Sequence, residues 1–181
     1  HTDLFYQFYK EKMIYKDALP NDAHKALARL EEMGKVKAVI TQNIDNLHTA
    51  AGSKTVYELH GSVYRNTCMK CGKKYGLDKI LNSNGVPYCD CGGVIKPDVV
   101  LYGEGLDYDV IENSINAIRK CDTLIIGGTS LTVYPASGLV RYFQGKNLVI
   151  INKGSINSYA DLEINDSIGK VFKIVMDNIN G

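Results

Sequence analysis

No apolar run in these 181 residues approaches the roughly 18 needed to cross a bilayer as a helix, and the chain does not open on a basic-then-apolar signal. A soluble, cytoplasmic protein is therefore expected. Charge of neither sign is in excess: 21 Lys and Arg stand against 20 Asp and Glu, a formal net charge of +1, with the cations spread along the chain. That balance excludes the extended basic face a nucleic-acid backbone needs, so neither nucleic acid nor membrane is expected as a direct partner. Tryptophan is absent, and no internal repeat or low-complexity linker divides the chain. Its length suits one main core with a small appendage. There is no initiator Met; instead Leu4, Phe5, Phe8, Tyr9, Met13 and Ile14 recur at helical spacing, so the sequence starts inside a fold.

Beyond this first helix the chain alternates helix and strand. Ala26, Leu27, Leu30 and Met33 mark a second helix closed by Gly34, with His24 expected on its solvent face. Val36–Ile40 reads as a buried strand, and Thr55–Leu59 as another. Pro97–Glu104 reads as an apolar strand that ends in a glycine-bearing loop, where the α/β pattern is expected to restart. A helix with Val110, Ile111, Ile115 and Ile118 then leads to the strand Thr123–Ile126. Pro135–Phe143 reads as a helix, Leu148–Ile151 and Asp161–Ile164 as strands, and Ile168, Val171, Val175 and Ile179 as a closing helix capped by Asp166 or Ser167. Strands separated by helices predict an α/β fold, a parallel sheet with helices on both faces.

The polar residues cluster where strands end. Gln42, Asn43 and Asp45 follow the first strand and His60 the second, and ligands bind at the carboxyl edge of such sheets. Amide, carboxylate and imidazole together suit proton transfer, yet Asn, Asp and Thr are also ordinary turn and capping residues, so the cluster alone leaves both readings open. Gly127-Gly128-Thr129-Ser130 after the strand Thr123–Ile126 suits a phosphate or ribose, and equally a plain strand-to-helix turn with Ser as cap. Asn152 ends the next strand in the same way.

Between Ser62 and Lys96 the composition turns to Gly, Asn, Lys and Cys, too poor in apolar residues for a core of its own. Cys68 and Cys71 form a C-x2-C pair; Cys89 and Cys91, a C-x-C pair, follow after a spacer of 17 residues. Four thiolates in two close pairs match a structural zinc site whose metal supplies the missing folding energy; redox thiols or disulfides are the alternative. Four protein ligands leave zinc no open position for substrate, so the metal is expected to stand outside any reaction. Cys121 reads as a small buried hydrophobe.

Taken jointly, Thr41–His48, Glu58–Ser62, the four cysteines, Lys96-Pro97 through Gly103-Glu104, Gly128–Leu131 and Ile151-Asn152 resemble the sirtuins, NAD-dependent protein lysine deacylases, in the family's order and over nearly the whole chain. The resemblance implies a Rossmann-type NAD-binding domain over residues 1–61 and 97–181, with a small zinc-binding domain inserted at 62–96. NAD and an acyl-lysine-bearing protein or peptide would meet in the cleft between them. It implies His60 as general base, with Asn43 and Asp45 beside it and Gln42, Asn43 and Asp45 lining the nicotinamide and ribose pocket. Gly128, Thr129 and Ser130 would hold phosphate and ribose, and Asn152 the adenosine ribose. Val100, Tyr102, Gly103, Glu104, Val133 and Tyr134 would flank the peptide. The products would be nicotinamide, free lysine and an acylated ADP-ribose. The family's first strand and Gly-Ala-Gly-x-Ser loop would precede His1, so a longer natural protein is expected; Lys96 and Gly105 stand where many members carry Arg and Asn.

Two other functions are open at this level. Mono-ADP-ribosyl transfer would use the same NAD cleavage with another acceptor. A non-catalytic, zinc-stabilised binding module would have no need of Asn43, Asp45 and His60 together.

Overall fold

The computed structural model describes residues 1–129, 134–154 and 159–180. Helix α1 (Thr2–Lys12) buries Tyr6 and Tyr9, with Phe5 and Met13 against the same cluster. Leu4 and Phe8 stay outside, so the buried face is rotated from the one the apolar spacing predicts. The Tyr6 hydroxyl, donating to the Ile95 carbonyl at 2.6 Å, makes burial of that tyrosine affordable. Helix α2 (Asp22–Glu32) starts at Asn21, whose side chain accepts from the backbone of Ala23 and His24. The His24 ring reaches back to accept from the Asn21 N–H at 3.3 Å, closing a capping box. His24 is thereby buried, not on the solvent face, and its ring lies 4.5 Å from that of His48.

Strand β1 (Val39–Thr41) leads to the short helix α3 (Leu47–Ala50) and strand β2 (Val56–Glu58). Then come β3 (Gly61–Cys68), β4 (Lys74–Tyr75), helix α4 (Leu77–Leu81) and β5 (Ile95–Val99). Helix α5 (Tyr108–Lys120), strand β6 (Thr123–Gly127), helix α6 (Ala136–Leu139) continued by a 3-10 turn at Val140–Tyr142, strands β7 (Asn147–Asn152) and β8 (Leu162–Asn165), and helix α7 (Ile168–Asn180) complete the order. Among the described residues no helix is long and apolar enough to cross a membrane.

The expected α/β architecture is present. β1 pairs with β2, and β6, β7 and β8 pair in that order, all parallel. In the latter sheet Val149 and Ile151 face a cluster with α2 and α7 (Ala26, Leu30, Phe172), while Leu124 faces α5 and α6 (Ile118, Leu139). The register Leu124↔Leu148 places Leu124 on the side opposite Val149, so helices cover both faces.

Two segments depart from the sequence reading. The strand expected at Pro97–Glu104 is β5, which ends at Val99 and does not join a parallel sheet: it pairs antiparallel with β3, whose other neighbour is β4. Ile95, Pro97 and Val99 alternate inward, the period of a half-buried antiparallel strand, and Pro97 lies on an edge strand where its missing N–H costs no ladder bond. The eight-residue β3 was hidden because two of its inward positions are polar, Ser62 and Asn66, both fully buried.

The chain forms two compact units. One joins His1–Ala18, Gln42–Asn46 and His60–Leu106; the other joins Leu19–Thr41, Leu47–Leu59 and the chain from Asp107 onward. The first extends well beyond residues 62–96. Its core gathers Tyr6 and Tyr9 of α1 with Val63, Ile80, Ile95 and Val99, so the cysteine-rich segment has apolar partners from elsewhere in the sequence. Ile80 and Ile95 are fully buried, each stabilising by about 1.5–3 kcal/mol.

Candidate functional site

The parallel pairing of β1 and β2, in register Thr41↔Glu58, makes Gln42 onward and His60 leave their strands at the same edge. The 42–46 loop is pinned to the start of β3, where Val63 N–H donates to the Ile44 carbonyl at 3.1 Å. Asn46 turns the chain at φ 60, a conformation Asn tolerates better than most residues. His60 Nδ1 lies 3.1 Å from the Gln42 carbonyl oxygen. A carbonyl only accepts, so that bond places the proton on Nδ1 and leaves the Nε2 lone pair of the neutral ring available as a base. Val100 N–H donates to the His60 carbonyl at 3.0 Å, fixing the histidine from the other side. Gly61 completes the arrangement: its φ is +74, and a Cβ there would overlap the Asp98 carbonyl oxygen.

Asn43 donates to Asp45 Oδ2 at 3.2 Å, so the amide and the carboxylate form a pair. Gln42 Nε2 is buried without a hydrogen-bond partner among the described residues, a donor that a bound ligand's oxygen would satisfy.

Downstream of β5, Leu101–Glu104 is a tight turn in which Glu104 N–H donates to the Leu101 carbonyl at 3.0 Å and Gly103 takes φ +84. That positive φ at the third position is what a type II turn requires of glycine. The Glu104 carboxylate is already engaged, accepting from Leu101 N–H at 2.9 Å and from Lys96 Nζ at 3.0 Å. Those bonds, the backbone donor first, hold its carboxyl below the usual range. Val100 is half-buried and Tyr102 fully exposed.

The other unit carries a cavity of about 610 Å³ at the carboxyl ends of β6, β7 and β8. Gly128 and Asn152 both line it, as do residues the sequence reading did not single out as ligand contacts: Asp166, Ser167, Lys153, Lys170 and Lys173. Gly128 has φ +64 and donates to the Ile151 carbonyl at 3.1 Å, while a Cβ on Gly127 would meet the tip of the Ile168 side chain. Ser167 precedes α7, its carbonyl accepting from Val171 N–H at 3.1 Å and its own N–H donating to Asp166 Oδ1 at 2.7 Å, and the first turn of the helix (Ile168, Gly169, Lys170) lines the cavity. Asp166 accepts from Lys170 at 2.6 Å. The signal available in the sequence was position: Asp166 directly follows a parallel strand, as Gly128 and Asn152 mark the ends of theirs. Thr129 follows Gly128, and Tyr134 is exposed. Ser130 and Val133 lie outside the described residues.

The four cysteines converge. Cys68 and Cys91 sulfurs are 3.5 Å apart, those of Cys71 and Cys89 3.6 Å, and all four lie within 4.8 Å of one another. A disulfide needs about 2.05 Å. Four sulfurs at about 2.3 Å from one zinc define a tetrahedron with edges of about 3.8 Å, which these distances fit. The backbone N–H of Cys91 and then the Tyr75 hydroxyl bring Cys89 down to about 6. Cys91, despite the Gly93 N–H, is pushed up to about 12 by the neighbouring sulfurs and burial. Four sulfurs this close ionise together only if a cation offsets the repulsion between them. Tyr75 donates to Cys89 Sγ at 3.0 Å, and a Cβ on Gly93 would stand 2.7 Å from Cys68 Sγ. Neither residue was marked by the cysteine spacing. Cys121 is apart from this group, its thiol donating to the Ile118 carbonyl at 3.2 Å and raised by burial.

A family model described as Sir2 family matches residues 1–135. A protein of Clostridium perfringens described as NAD-dependent protein deacetylase is 64% identical over 181 residues, covering 98% of this chain and 74% of its own length. Another so described, from Clostridium acetobutylicum, is 59% identical over 180 residues, covering 97% and 74%. A solved structure described as Sir2-p53 peptide-NAD+ superposes with a TM-score of 0.90 at 42% identity, over 99% of this chain and 79% of that one. Motif order, zinc-type cysteine cluster, sheet architecture and relatives aligned along almost its entire length agree: the chain belongs to the Sir2 family.

Proposed function

We propose that the protein is an NAD-dependent protein lysine deacetylase that takes an acyl-lysine-bearing protein or peptide and releases nicotinamide, free lysine and an O-acyl-ADP-ribose. His60 is the general base. The observation that carries this role is the Nδ1 bond to the Gln42 carbonyl, which orients the ring and leaves Nε2 to accept a ribose hydroxyl proton. Asp45, paired with Asn43, supplies negative charge where the ribose carbon becomes cationic as its bond to nicotinamide breaks. Gln42 Nε2, without a partner among the described residues, suits a ribose or nicotinamide oxygen. Gly128, Thr129, Ser130 and Asn152 hold the adenosine half. Support comes from the cavity that Gly128 and Asn152 share with the start of α7, where backbone N–H groups favour an anion. Val100, Tyr102, Gly103, Glu104, Val133 and Tyr134 flank the peptide.

Cys68, Cys71, Cys89 and Cys91 would hold one zinc ion, which supplies folding energy to its module. With all four positions taken by sulfur, the proton and charge steps fall to the residues above. The proposed place of action is the cytoplasm, where NAD is held and paired thiols serve as metal ligands rather than disulfides.

The test is an acetyl-lysine peptide incubated with NAD, with nicotinamide and acylated ADP-ribose followed by mass spectrometry. His60→Ala is expected to abolish turnover while stability changes by no more than the roughly 0.5–3 kcal/mol usual for one substitution. Near wild-type turnover in that variant would remove His60 from its role.

A further inference from the structure

We propose that Lys96 is a positioning residue for the protein substrate: its ammonium holds the 97–104 segment in the shape that receives the acyl-lysine peptide. The proposal rests on the reading above that Val100–Glu104 flank that peptide. It adds a residue that touches neither peptide nor NAD.

An ammonium has three donors, and here each has an acceptor: the Pro97 carbonyl at 3.2 Å, the Val99 carbonyl at 3.2 Å and Glu104 Oε2 at 3.0 Å. These acceptors differ in how they are held. Pro97 and Val99 are buried in β5, next to the core of the unit, whereas Glu104 closes an exposed turn. Tyr102, Gly103 and Gly105 are exposed, and among the described residues Leu101 is the one residue of the turn that packs against the apolar cluster. The direction in which the turn leaves the strand is therefore set by polar bonds, and Lys96 is the side chain that ties its closing residue to the core. The Lys96 side chain is 26% exposed, so the clamp is partly shielded from water, unlike the surface pair of Arg29 and Glu32. Glu104 links Lys96 to the backbone: the oxygen that meets the ammonium also accepts from Leu101 N–H.

Without the ammonium the turn retains its own Glu104 N–H to Leu101 bond, but its orientation on β5 is no longer fixed. Peptide binding must then order the segment itself, which weakens affinity and leaves the reacting groups untouched. Arg in this position keeps a cation with several donors, so it should conserve the clamp.

The experiment compares wild type, Lys96→Met, Lys96→Gln and Lys96→Arg in steady-state deacetylation of an acetyl-lysine peptide, with peptide affinity measured separately by fluorescence anisotropy. Zinc content and thermal unfolding are recorded for each. Lys96→Met is expected to raise the peptide KM and Kd about tenfold, with kcat and the KM for NAD within about twofold, and Lys96→Arg to stay within about twofold of wild type throughout. In a Glu104→Gln background the Met substitution should add little further, because both changes break one link. An unchanged peptide KM in Lys96→Met overturns the proposal. So does a fall in kcat at constant KM, or loss of folding in both the Met and Gln variants, which marks a purely structural role. A wild-type protein inactive on the peptide would instead sink the deacetylase reading, a result separable from all of these.

Discussion

Replacing Gly61 by Ala tests how His60, the proposed general base, is held. Two separate costs meet at this glycine. Its φ of +74 is unfavourable for any L side chain by roughly 1–2 kcal/mol, and the added methyl would overlap the Asp98 carbonyl oxygen of the neighbouring strand. Relieving that overlap means moving β5 from the start of β3, at an overpacking cost of about 1–3 kcal/mol. The Val100 N–H to His60 carbonyl bond goes with it, about 0.5–1.5 kcal/mol more. A destabilisation of roughly 3–6 kcal/mol is expected, which for a chain of this size lowers Tm by roughly 6–24 °C. Two other glycines separate the terms. Gly34 shares the positive φ, +71, with open space around it, so Gly34→Ala should show the conformational cost alone, roughly 1–2 kcal/mol. Gly105 has neither constraint, and Gly105→Ala should be within about 0.5 kcal/mol of wild type. Thermal and urea unfolding of the three variants, with turnover measured on each, gives the ranking. If Gly61→Ala costs no more than Gly34→Ala, the approach of Gly61 to Asp98 is not a constraint and the reasoning is wrong.

Metal analysis is expected to find one zinc per chain, lost in Cys68→Ser and kept in Cys121→Ser; a metal-free protein with normal unfolding behaviour would contradict the tetrahedral reading of the four sulfurs. Tyr75→Phe removes the hydroxyl that donates to Cys89 Sγ, and zinc affinity measured by competition with a chelator should fall about tenfold or more, with no change expected if that bond is incidental. Glu31 gives a pH signature. Partial burial raises its carboxyl, but the N–H groups of Lys54 and Thr55, at 2.7 and 2.8 Å, outweigh this and hold it below its ordinary value of 4.5. A depressed carboxyl stabilises the fold fully above its unfolded pKa, and the contribution is lost as pH falls through the folded one. Glu31→Gln should therefore flatten the acid limb of the stability profile and leave the slope near neutrality alone; an unaltered acid limb would refute it.

Much of this protein was legible along the chain because its signals are local. Two cysteine pairs at fixed spacing announce a zinc site wherever the chain carries them. An apolar run followed at once by Gln42, Asn43 and Asp45, by Gly128 or by Asn152 marks the carboxyl end of a strand, and β1, β6 and β7 do end there. What the tertiary structure decided are pairings between segments distant in sequence. Whether Ile95–Val99 lies parallel or antiparallel depends on its neighbour, and that neighbour, β3, carries buried Ser62 and Asn66 where an apolar pattern would have revealed it. His24 is drawn inward by a backbone N–H three residues earlier and by the ring of His48, twenty-four positions away. Glu104 has its carboxylate spoken for by Lys96 and Leu101, and the start of α7 opens on the cavity shared by Gly128 and Asn152. Spacing and composition record which groups a segment offers; which of them meet is settled by register and packing, where a shift of one residue turns a side chain to the opposite face.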